Sequence, residues 1–470
     1  VDTDFDLVVV GAGGAGLAAA ATAAGDGARV LLVDAAREPG GSTALSGGSF
    51  MAAGTHVQDE AGHPGDSVAE FVDYYLALNQ WQVDPAVVRR FCERATPTLT
   101  WLEELGVQFS AQGLYRAQLE RFPRSHRPVG AGQALVDALL SRCRDARVDM
   151  ALGNRVEALV TDEGRVAGVR AGGEEVSCHA VVIATGGFGN NQDLLAAHLP
   201  EFMRAGEWVW SPAPDTCRGD GLSLGLSAGA GATGDNRGEV LLTPGFGHEL
   251  EPFLPGWLVF VNRDGRRFVN EAAPYAALSR LVSAEGGRCW VVMDESIRAS
   301  AKPNAASAMF GGGSWTADFL QARIVDGRIP TAGTLAELAQ QIGVPAAMLE
   351  STVRRYNTDA VSGGDSRFGK GAADMKPLVR APYYGIEVRA AVVALTGYGL
   401  RIDPDARVLA ALDDEPIPGL YAAGEVTGSL LGPLYLGGGN AIGNALVFGR
   451  IAAQSALADQ RRGLHGAAIG

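Results

Sequence analysis

Two glycine-rich segments at opposite ends of the sequence hold the residues whose types and spacing suit chemistry on phosphates. One is Val8-Val9-Val10-Gly11-Ala12-Gly13-Gly14-Ala15-Gly16; the other is Gly419-Leu420-Tyr421-Ala422-Ala423-Gly424-Glu425, followed by Gly437-Gly438-Gly439-Asn440-Ala441-Ile442-Gly443. Gly11, Gly13 and Gly16 stand in GxGxxG spacing between an apolar run, Leu7 to Val10, and an alanine-rich run, Leu17 to Ala23. In a strand–turn–helix unit such glycines permit a tight turn, let the backbone approach a pyrophosphate and let the helix pack closely on the sheet. The helix start, with Gly14 and Ala15, offers free N–H groups and a positive dipole end. A second apolar run, Val30 to Val33, ends at Asp34, whose carboxylate can accept hydrogen bonds from ribose hydroxyls, with Ala35 beside it. The two ends together predict one dinucleotide site closed by both termini.

The elements that must position these residues are readable in outline. Pro39 to Gly48 is a small-residue loop in which Gly41, Ser42, Thr43, Ser46, Gly47 and Gly48 should run beneath the rest of the ligand. Helical patterns follow at Asp66 to Leu78, Pro85 to Leu105 and Gly132 to Cys143, then a hairpin from Val156 to Val169 that turns at Asp162-Glu163-Gly164. Val156 counts with the cofactor residues. A buried strand, Ala180 to Ile183, ends at Ala184-Thr185-Gly186-Gly187, and Arg218-Gly219-Asp220-Gly221 opens a helix through Ala228. From about 237 to 391 the character changes to more aromatics, prolines and irregular loops, including Gly311-Gly312-Gly313 and a charged stretch, Ser362 to Asp374, read as flexible. This middle part reads as an inserted cap, after which the nucleotide fold resumes at Gly399 to Asp403. The chain has no internal repeat.

The 470 residues give a length prior of about three domains, but two suffice when one is inserted into the other. A net charge of −14 argues against nucleic acid or an anionic membrane as partner. No apolar run reaches the ~20 residues of a spanning helix, and no signal-peptide pattern opens the chain. Cys92, Cys143, Cys178, Cys217 and Cys289 are scattered without CxxC spacing and read as reduced, buried thiols. No spacing supports a metal site. The composition is that expected of a soluble cytoplasmic enzyme.

In combination, GAGGAG, Asp34, the GGSTALSGG loop, ATGG at 184–187, RGDG at 218–221, RRFVNE at 266–271 and the closing GLYAAGEVTG with NAIGNALVFGR resemble the fumarate reductase and succinate dehydrogenase flavoprotein superfamily. The resemblance covers essentially the whole chain. It implies an α/β fold: a Rossmann-like FAD-binding domain of the glutathione-reductase type over 1–236 and 392–470, with an inserted α+β cap or catalytic domain over 237–391. It also implies hydride transfer between flavin N5 and a carbon beside an activated C–H or C=C bond. Glu425, next to Gly424, should bind the FAD chain. The backbone around Asn440, Ala441 and Ile442 should face the pyrimidine edge and favour anionic reduced flavin. Succinate dehydrogenases attach FAD to a histidine in the loop matching Gly41 to Gly48; none stands there, so non-covalent FAD is expected.

Dicarboxylate-handling members carry two arginines and a histidine at places that here hold Tyr275, Tyr435 and Leu395. The arginine fork suits bidentate carboxylate binding, and leaving two substrate carboxylates unpaired in a closed site costs several kcal/mol. Arg389 is the one nearby cation considered. The replacements are similar to the 3-ketosteroid dehydrogenase branch: Asn270-Glu271-Ala272-Ala273-Pro274-Tyr275 resembles NE-x-x-PY, and Tyr435-Leu436-Gly437-Gly438-Gly439 resembles Y-x-G-x-G. That branch implies a ketone oxygen held by the Tyr435 hydroxyl and the Gly439 N–H, with Tyr275 as the base. Tyr115 corresponds by spacing to a third tyrosine. Tyr398 and Leu436 depart from the usual glycine and proline.

The chemistry follows from residue types. Desaturating a ketone removes a proton from Cα and a hydride from Cβ, and the enolate charge needs preorganised donors; one such donor is worth ~3 kcal/mol. A free tyrosine has a pKa of about 10, so a tyrosine base needs neighbours that stabilise phenolate or pass the proton on. The expectation is an FAD oxidoreductase for an apolar ketone, 3-ketosteroids leading, with an unidentified electron acceptor. The alternatives are an ene-reductase, a flavin-binding sensor or carrier, and an NAD-only dehydrogenase that leaves the C-terminal half unexplained. Against each functional role stands a plainer one. Tyrosines in an apolar cap usually pack; Asp220 suits capping a helix; His126, His179 and His248 show no ligand spacing; Trp208, Trp210 and Trp257 suit core packing.

Overall fold

The structure, a computed structural model, describes residues 3–248, 253–303 and 315–467. The Gly311 to Gly313 loop lies outside the described residues. Contacts divide the chain into one unit of Val1–Leu199, Ala213–Glu239 and Leu395–Gly470, and a second of Pro200–Pro212 and Val240–Ala394.

In the first unit, five parallel strands lie in the order Pro416–Ala422, Glu174–Ile183, Phe5–Val10, Val30–Asp34, Asp149–Leu152. Val8 aligns with Leu31 on one side and Val181 on the other. Leu7, Val8 and Val9 have no exposed surface, as expected of a strand covered on both faces. Helix Gly14–Gly25 crosses from the first strand to the second. The hairpin Val156–Asp162 and Arg165–Ala171 turns through Glu163 (φ 46°) and Gly164 (φ 80°), the pair of left-handed residues that a tight two-residue hairpin turn requires.

A small antiparallel sheet sits in the same unit: Ser125–His126 in the centre, Phe50–Met51 and Leu114–Tyr115 on its flanks. Arg124, just before the central strand, pairs with Asp66 through Nε and Nη2 at 2.8 and 2.6 Å, both side chains essentially without exposure. The Gln58 amide also donates to Asp66, at 2.9 Å. His126 lies 2.8 Å from the Arg124 carbonyl through Nδ1, so Nε2 is left to accept from Thr55 Oγ1, also at 2.8 Å. Burial pulls its pKa down to about 4, so this imidazole is a neutral spacer, in line with the plainer sequence reading.

The second unit is built on a sheet in the order Gly238–Thr243, Tyr383–Thr396, Arg288–Asp294, Phe260–Val261, with Thr331–Ala332 beside the long strand. Two features differ from the sequence reading. Pro200–Pro212 falls in the second unit because Trp210 pairs with the long strand, donating to the Ala391 carbonyl (3.1 Å) and accepting from Val393 N (2.9 Å). The charged stretch read as flexible is tied down. Asp365 accepts from the backbone of Arg367, Phe368 and Lys370 and from Arg267 Nη2. Burial works against that carboxylate, but these hydrogen bonds hold its pKa at about 2. Lys370, fully buried, donates to the Leu258 carbonyl at 2.6 Å and lies 3.3 Å from Glu271, which also takes both arms of Arg267. Arg267 and Glu271 of the RRFVNE segment are therefore spent on holding this unit together.

All five cysteines are buried and unpaired. Among the described residues no helix is long and apolar enough to cross a membrane, and no acid–histidine–cysteine group is disposed to hold a metal.

Candidate active site

The first glycine turn is fixed by contacts that exclude side chains. Gly11 has φ 110°, and a Cβ there would lie 2.3 Å from the Ala184 carbonyl oxygen; one on Gly16 would lie 1.7 Å from that of Gly11. Gly13 is different: φ is −77°, and a Cβ would meet nothing within 4 Å. Open space lies over the middle glycine. Asp34 is held by the N–H groups of Ala12 (2.5 Å) and Ala36 (2.6 Å), so the carboxylate is oriented while remaining part-exposed. The loop after it is not all loop, since Gly41–Leu45 forms one helical turn. Thr43 Oγ1 accepts from Gly14 N at 3.2 Å, and Ser46 Oγ from Gly48 N at 3.0 Å. These two side chains brace the turn, whereas Gly41, Ser42 and Gly47 keep accessible surface.

The C-terminal half completes this cradle. Gly424 (φ 82°) packs against Ala15, where a Cβ would sit 3.0 Å from the alanine methyl. Glu425 Oε1 accepts from Thr396 N and Oγ1, both at 2.8 Å, and burial raises its pKa. Asn440 begins the 28-residue C-terminal helix, and its Oδ1 lies 3.2 Å from the Tyr75 hydroxyl. Cys217, read only as a buried thiol, sits 3.9 Å from Ser42 Oγ and beside Gly186, its thiol pushed up to about 12 by burial. Its position one residue before RGDG was the available signal. Asp220 corrects the capping reading: Thr185 Oγ1 accepts from Gly221 N at 3.2 Å, while the Asp220 carboxylate pairs with Arg155. Arg155, Val156 and Asp220 line a groove of about 420 Å³ against helix Asp220–Ser227.

The second cluster in this unit is the loop Tyr435–Gly439 against the small sheet. Tyr435 is buried, its hydroxyl accepts from Ala441 N at 3.3 Å, and burial holds its pKa well above the ordinary range. The phenol is thus a neutral donor. Its carbonyl accepts from Gln118 Nε2 at 3.3 Å, and Glu120 shapes that segment by accepting from Ala117 N (2.6 Å) and Gln118 N (2.8 Å). Gly438 lies against Tyr115, where a Cβ would be 2.2 Å from the phenol oxygen, and the Tyr115 hydroxyl donates to Ser49 at 3.0 Å. Gly439 has φ 107°, its carbonyl accepts from Met51 N at 3.1 Å, and its N–H has no acceptor among the described residues although the residue is buried. Orphaned buried N–H groups are rare in folded proteins.

Tyr435, Gly439 and Tyr115 are therefore brought together. Tyr398 takes a different neighbour, its ring stacked on His198 at 3.6 Å, and His198 pairs with Asp235 at 2.7 Å. In the second unit Tyr275 is the first residue of helix Tyr275–Ala284, buried, with Phe253 edge-on at 5.4 Å. Arg389 in that unit is engaged by Glu387 (2.7 Å), the Ala205 carbonyl (2.9 Å) and the face of Trp208 (4.2 Å). Trp257 packs edge-on to Trp315 and donates to the Lys302 carbonyl.

Comparison with known proteins identifies the family of this fold. The family described as FAD binding domain matches residues 6–442. The chain is 32% identical over 464 residues to a probable fumarate reductase of Shewanella frigidimarina (strain NCIMB 400), spanning 96% of this chain and 74% of that protein. It is 29% identical to 4-oxocyclohexanecarboxylate 2-dehydrogenase of Sinomonas cyclohexanicum, spanning 98% of this chain and 94% of that one. Among solved structures, 3-ketosteroid-delta4-(5alpha)-dehydrogenase from Rhodococcus jostii RHA1, in complex with 4-androstene-3,17-dione, superposes with a TM-score of 0.79 at 27% identity, covering 97% of this chain and 98% of that one.

The cradle fits FAD. Gly13, Ser42, Thr185, Gly186, Glu425, Ala441 and Ile442 keep accessible surface although they come from the ends of buried elements. With their mostly small side chains they form an accessible track such as an extended dinucleotide requires. The open space over Gly13 makes this testable. Gly13→Ala should leave the melting temperature of apoprotein unchanged but weaken FAD binding by roughly tenfold or more, ~1.4 kcal/mol. Gly16→Ala should instead lower the apoprotein melting temperature, through overpacking that costs roughly 1–3 kcal/mol. Fluorescence titration with FAD beside thermal denaturation reads both, and wild-type FAD affinity in Gly13→Ala would contradict the cradle. The chain belongs to the FAD-binding family of flavoprotein oxidoreductases that includes the fumarate reductases and the 3-ketosteroid dehydrogenases.

Proposed function

We propose that the protein desaturates an apolar ketone at its Cα–Cβ bond, with 3-ketosteroids as the leading substrate class. The observation that carries this reading is the buried Gly439 N–H without a protein acceptor, four residues beyond a tyrosine hydroxyl that burial keeps protonated. Two neutral donors in one loop suit a carbonyl oxygen, and their value grows as that oxygen becomes an enolate in the transition state. A carboxylate in the same place lacks a cationic partner: Tyr275, Leu395 and Tyr435 hold the positions of cationic residues in dicarboxylate enzymes, and Arg389 is already paired.

FAD, when bound, supplies the hydride acceptor. The chain supplies the rest. Tyr435 and the Gly439 N–H hold the ketone oxygen and acidify the α-hydrogen. Tyr275 takes that proton, a role resting on the NE-x-x-PY resemblance. Tyr115 is the second candidate proton carrier; burial raises its pKa, and its hydrogen bonds with Ser49 and Ser125 work against that rise. The names of two relatives, acting on a cyclic oxo acid and on a ketosteroid, support the ketone class. The 32% identity to a probable fumarate reductase supports a second reading, an ene-reductase in which the same tyrosines deliver the proton.

Anaerobic mixing separates these readings. A 3-ketosteroid should bleach the flavin, succinate should not, and fumarate should not reoxidise the reduced protein. Reoxidation by an enone without any bleaching by ketones favours the reductase, and turnover of fumarate at ordinary concentrations contradicts the charge argument. The tyrosines should separate by role in stopped-flow bleaching. Tyr435→Phe should weaken ketone binding and slow reduction by roughly 10²-fold, because its donor acts in ground and transition states. Tyr275→Phe should preserve binding while reduction falls by roughly 10²- to 10⁴-fold. Wild-type reduction in Tyr275→Phe would move the proton to Tyr115.

A further inference from the structure

The Gly438–Gly439 peptide is held at both of its carbonyl neighbours by the small antiparallel sheet. Ser125, with no exposed surface, donates through Oγ to the Gly438 carbonyl at 2.5 Å. Met51 N donates to the Gly439 carbonyl at 3.1 Å. Between these two anchored oxygens lies the Gly439 N–H, the group without an acceptor. A trans peptide points its N–H away from its own C=O, so whatever fixes the Gly438 oxygen aims the Gly439 hydrogen. The φ of 107° at Gly439 leaves this plane to glycine, and a Cβ there would meet Met51 N at 2.8 Å. Backbone preference therefore does not choose the direction of the N–H. The hydrogen bond from Ser125 holds the carbonyl end of that plane, while Met51 N and Gly443 N hold the next carbonyl.

We propose that Ser125 is the positioning residue of the carbonyl site: it does not touch substrate but sets the plane of the Gly438–Gly439 peptide and polarises it, so that the Gly439 N–H meets the ketone oxygen as a strong donor. This inference rests on the ketone reading above. A hydrogen bond accepted at C=O strengthens the donor on the same amide, since chains of hydrogen bonds polarise one another in a low-dielectric interior. Ser125 stands in the central strand of the sheet, backed by the buried Arg124–Asp66 pair at the preceding residue. The serine oxygen is thus held from the sheet, whose flanking strands also meet the loop at Gly438 and Gly439. Ser125 also bonds Tyr115, whose other serine partner is Ser49, so effects through the peptide and through Tyr115 must be told apart.

Infrared spectra of an unreactive ketone bound to FAD-loaded protein read the polarisation of the carbonyl directly. In wild type the C=O stretch should shift down on binding. Ser125→Ala should lose a large part of that shift and slow flavin reduction by roughly 10- to 100-fold, with FAD still bound. Ser125→Thr, which keeps the hydroxyl, should restore both. Ser49→Ala, which removes one partner of Tyr115 without touching the Gly438 carbonyl, should leave the shift in place. A full wild-type shift in Ser125→Ala overturns the inference, as does an equal loss in Ser49→Ala, which would route the effect through Tyr115. Should Ser125→Ala fail to fold, Ser125→Cys supplies the same comparison with a weaker donor, and an unchanged shift there is equally fatal. A ketone that binds wild type with no shift at all overturns the carbonyl-site reading itself, and this inference with it.

Discussion

Close approach between the first and last helices is the constraint from which the rest of the FAD-binding unit follows. A Cβ on Gly449 would lie 2.3 Å from the Ala15 carbonyl, and one on Gly424 would lie 3.0 Å from the Ala15 methyl. Gly16 in turn meets the Gly11 carbonyl so closely that only hydrogen fits. Helix separation is set by the side chains at the contact, and here those are hydrogens and methyls. The approach brings the N-terminal turn and the start of helix Asn440–Ala467 to one cradle. It also fixes where the preceding loop, Tyr435 to Gly439, must run.

Inside that frame, the proposed carbonyl site at the Tyr435 to Gly439 loop would handle charge with dipoles rather than with ions. Two buried cations of the second unit are consumed structurally: Arg267 and Lys370 neutralise Glu271 and Asp365 in its interior. Arg389 is equally occupied. The Tyr435 loop itself offers a neutral phenol and an amide N–H. A buried neutral ketone needs no counter-ion, and donors of this kind contribute most when negative charge develops on its oxygen. The same economy would penalise a dicarboxylate, whose two charges would enter without partners.

The sequence made the nucleotide half legible because its signals are local. Glycine spacing, the apolar strands and Asp34 lie within a few residues of one another, and each maps onto the structure where expected. The Tyr435 to Gly439 loop was picked out by its resemblance to the Y-x-G-x-G segment, also a local signal. Tyr115 was reachable only by spacing, because the sheet that carries it has strands of two residues each, too short for any periodicity. Ser125, Ser49 and Glu120 were invisible, since their partners are 66 to 313 residues away or are backbone groups of a loop. The stretch from Ser362 to Asp374 misled through composition: its charges look solvated until Arg267, nearly a hundred residues earlier, is placed against Asp365. Tyr398, where the resembled branch has glycine, has its ring stacked on His198, a pairing no local pattern could show.

The central claim is that one carbonyl oxygen, and no ionic clamp, anchors the substrate. Calorimetric dissociation constants for a 3-ketosteroid and for the same steroid without its 3-oxygen test it most directly. Losing the oxygen leaves two buried donors unpaired, so the deoxy compound should bind at least roughly tenfold more weakly, about 1.4 kcal/mol or more. Equal affinity for the two compounds would contradict the account.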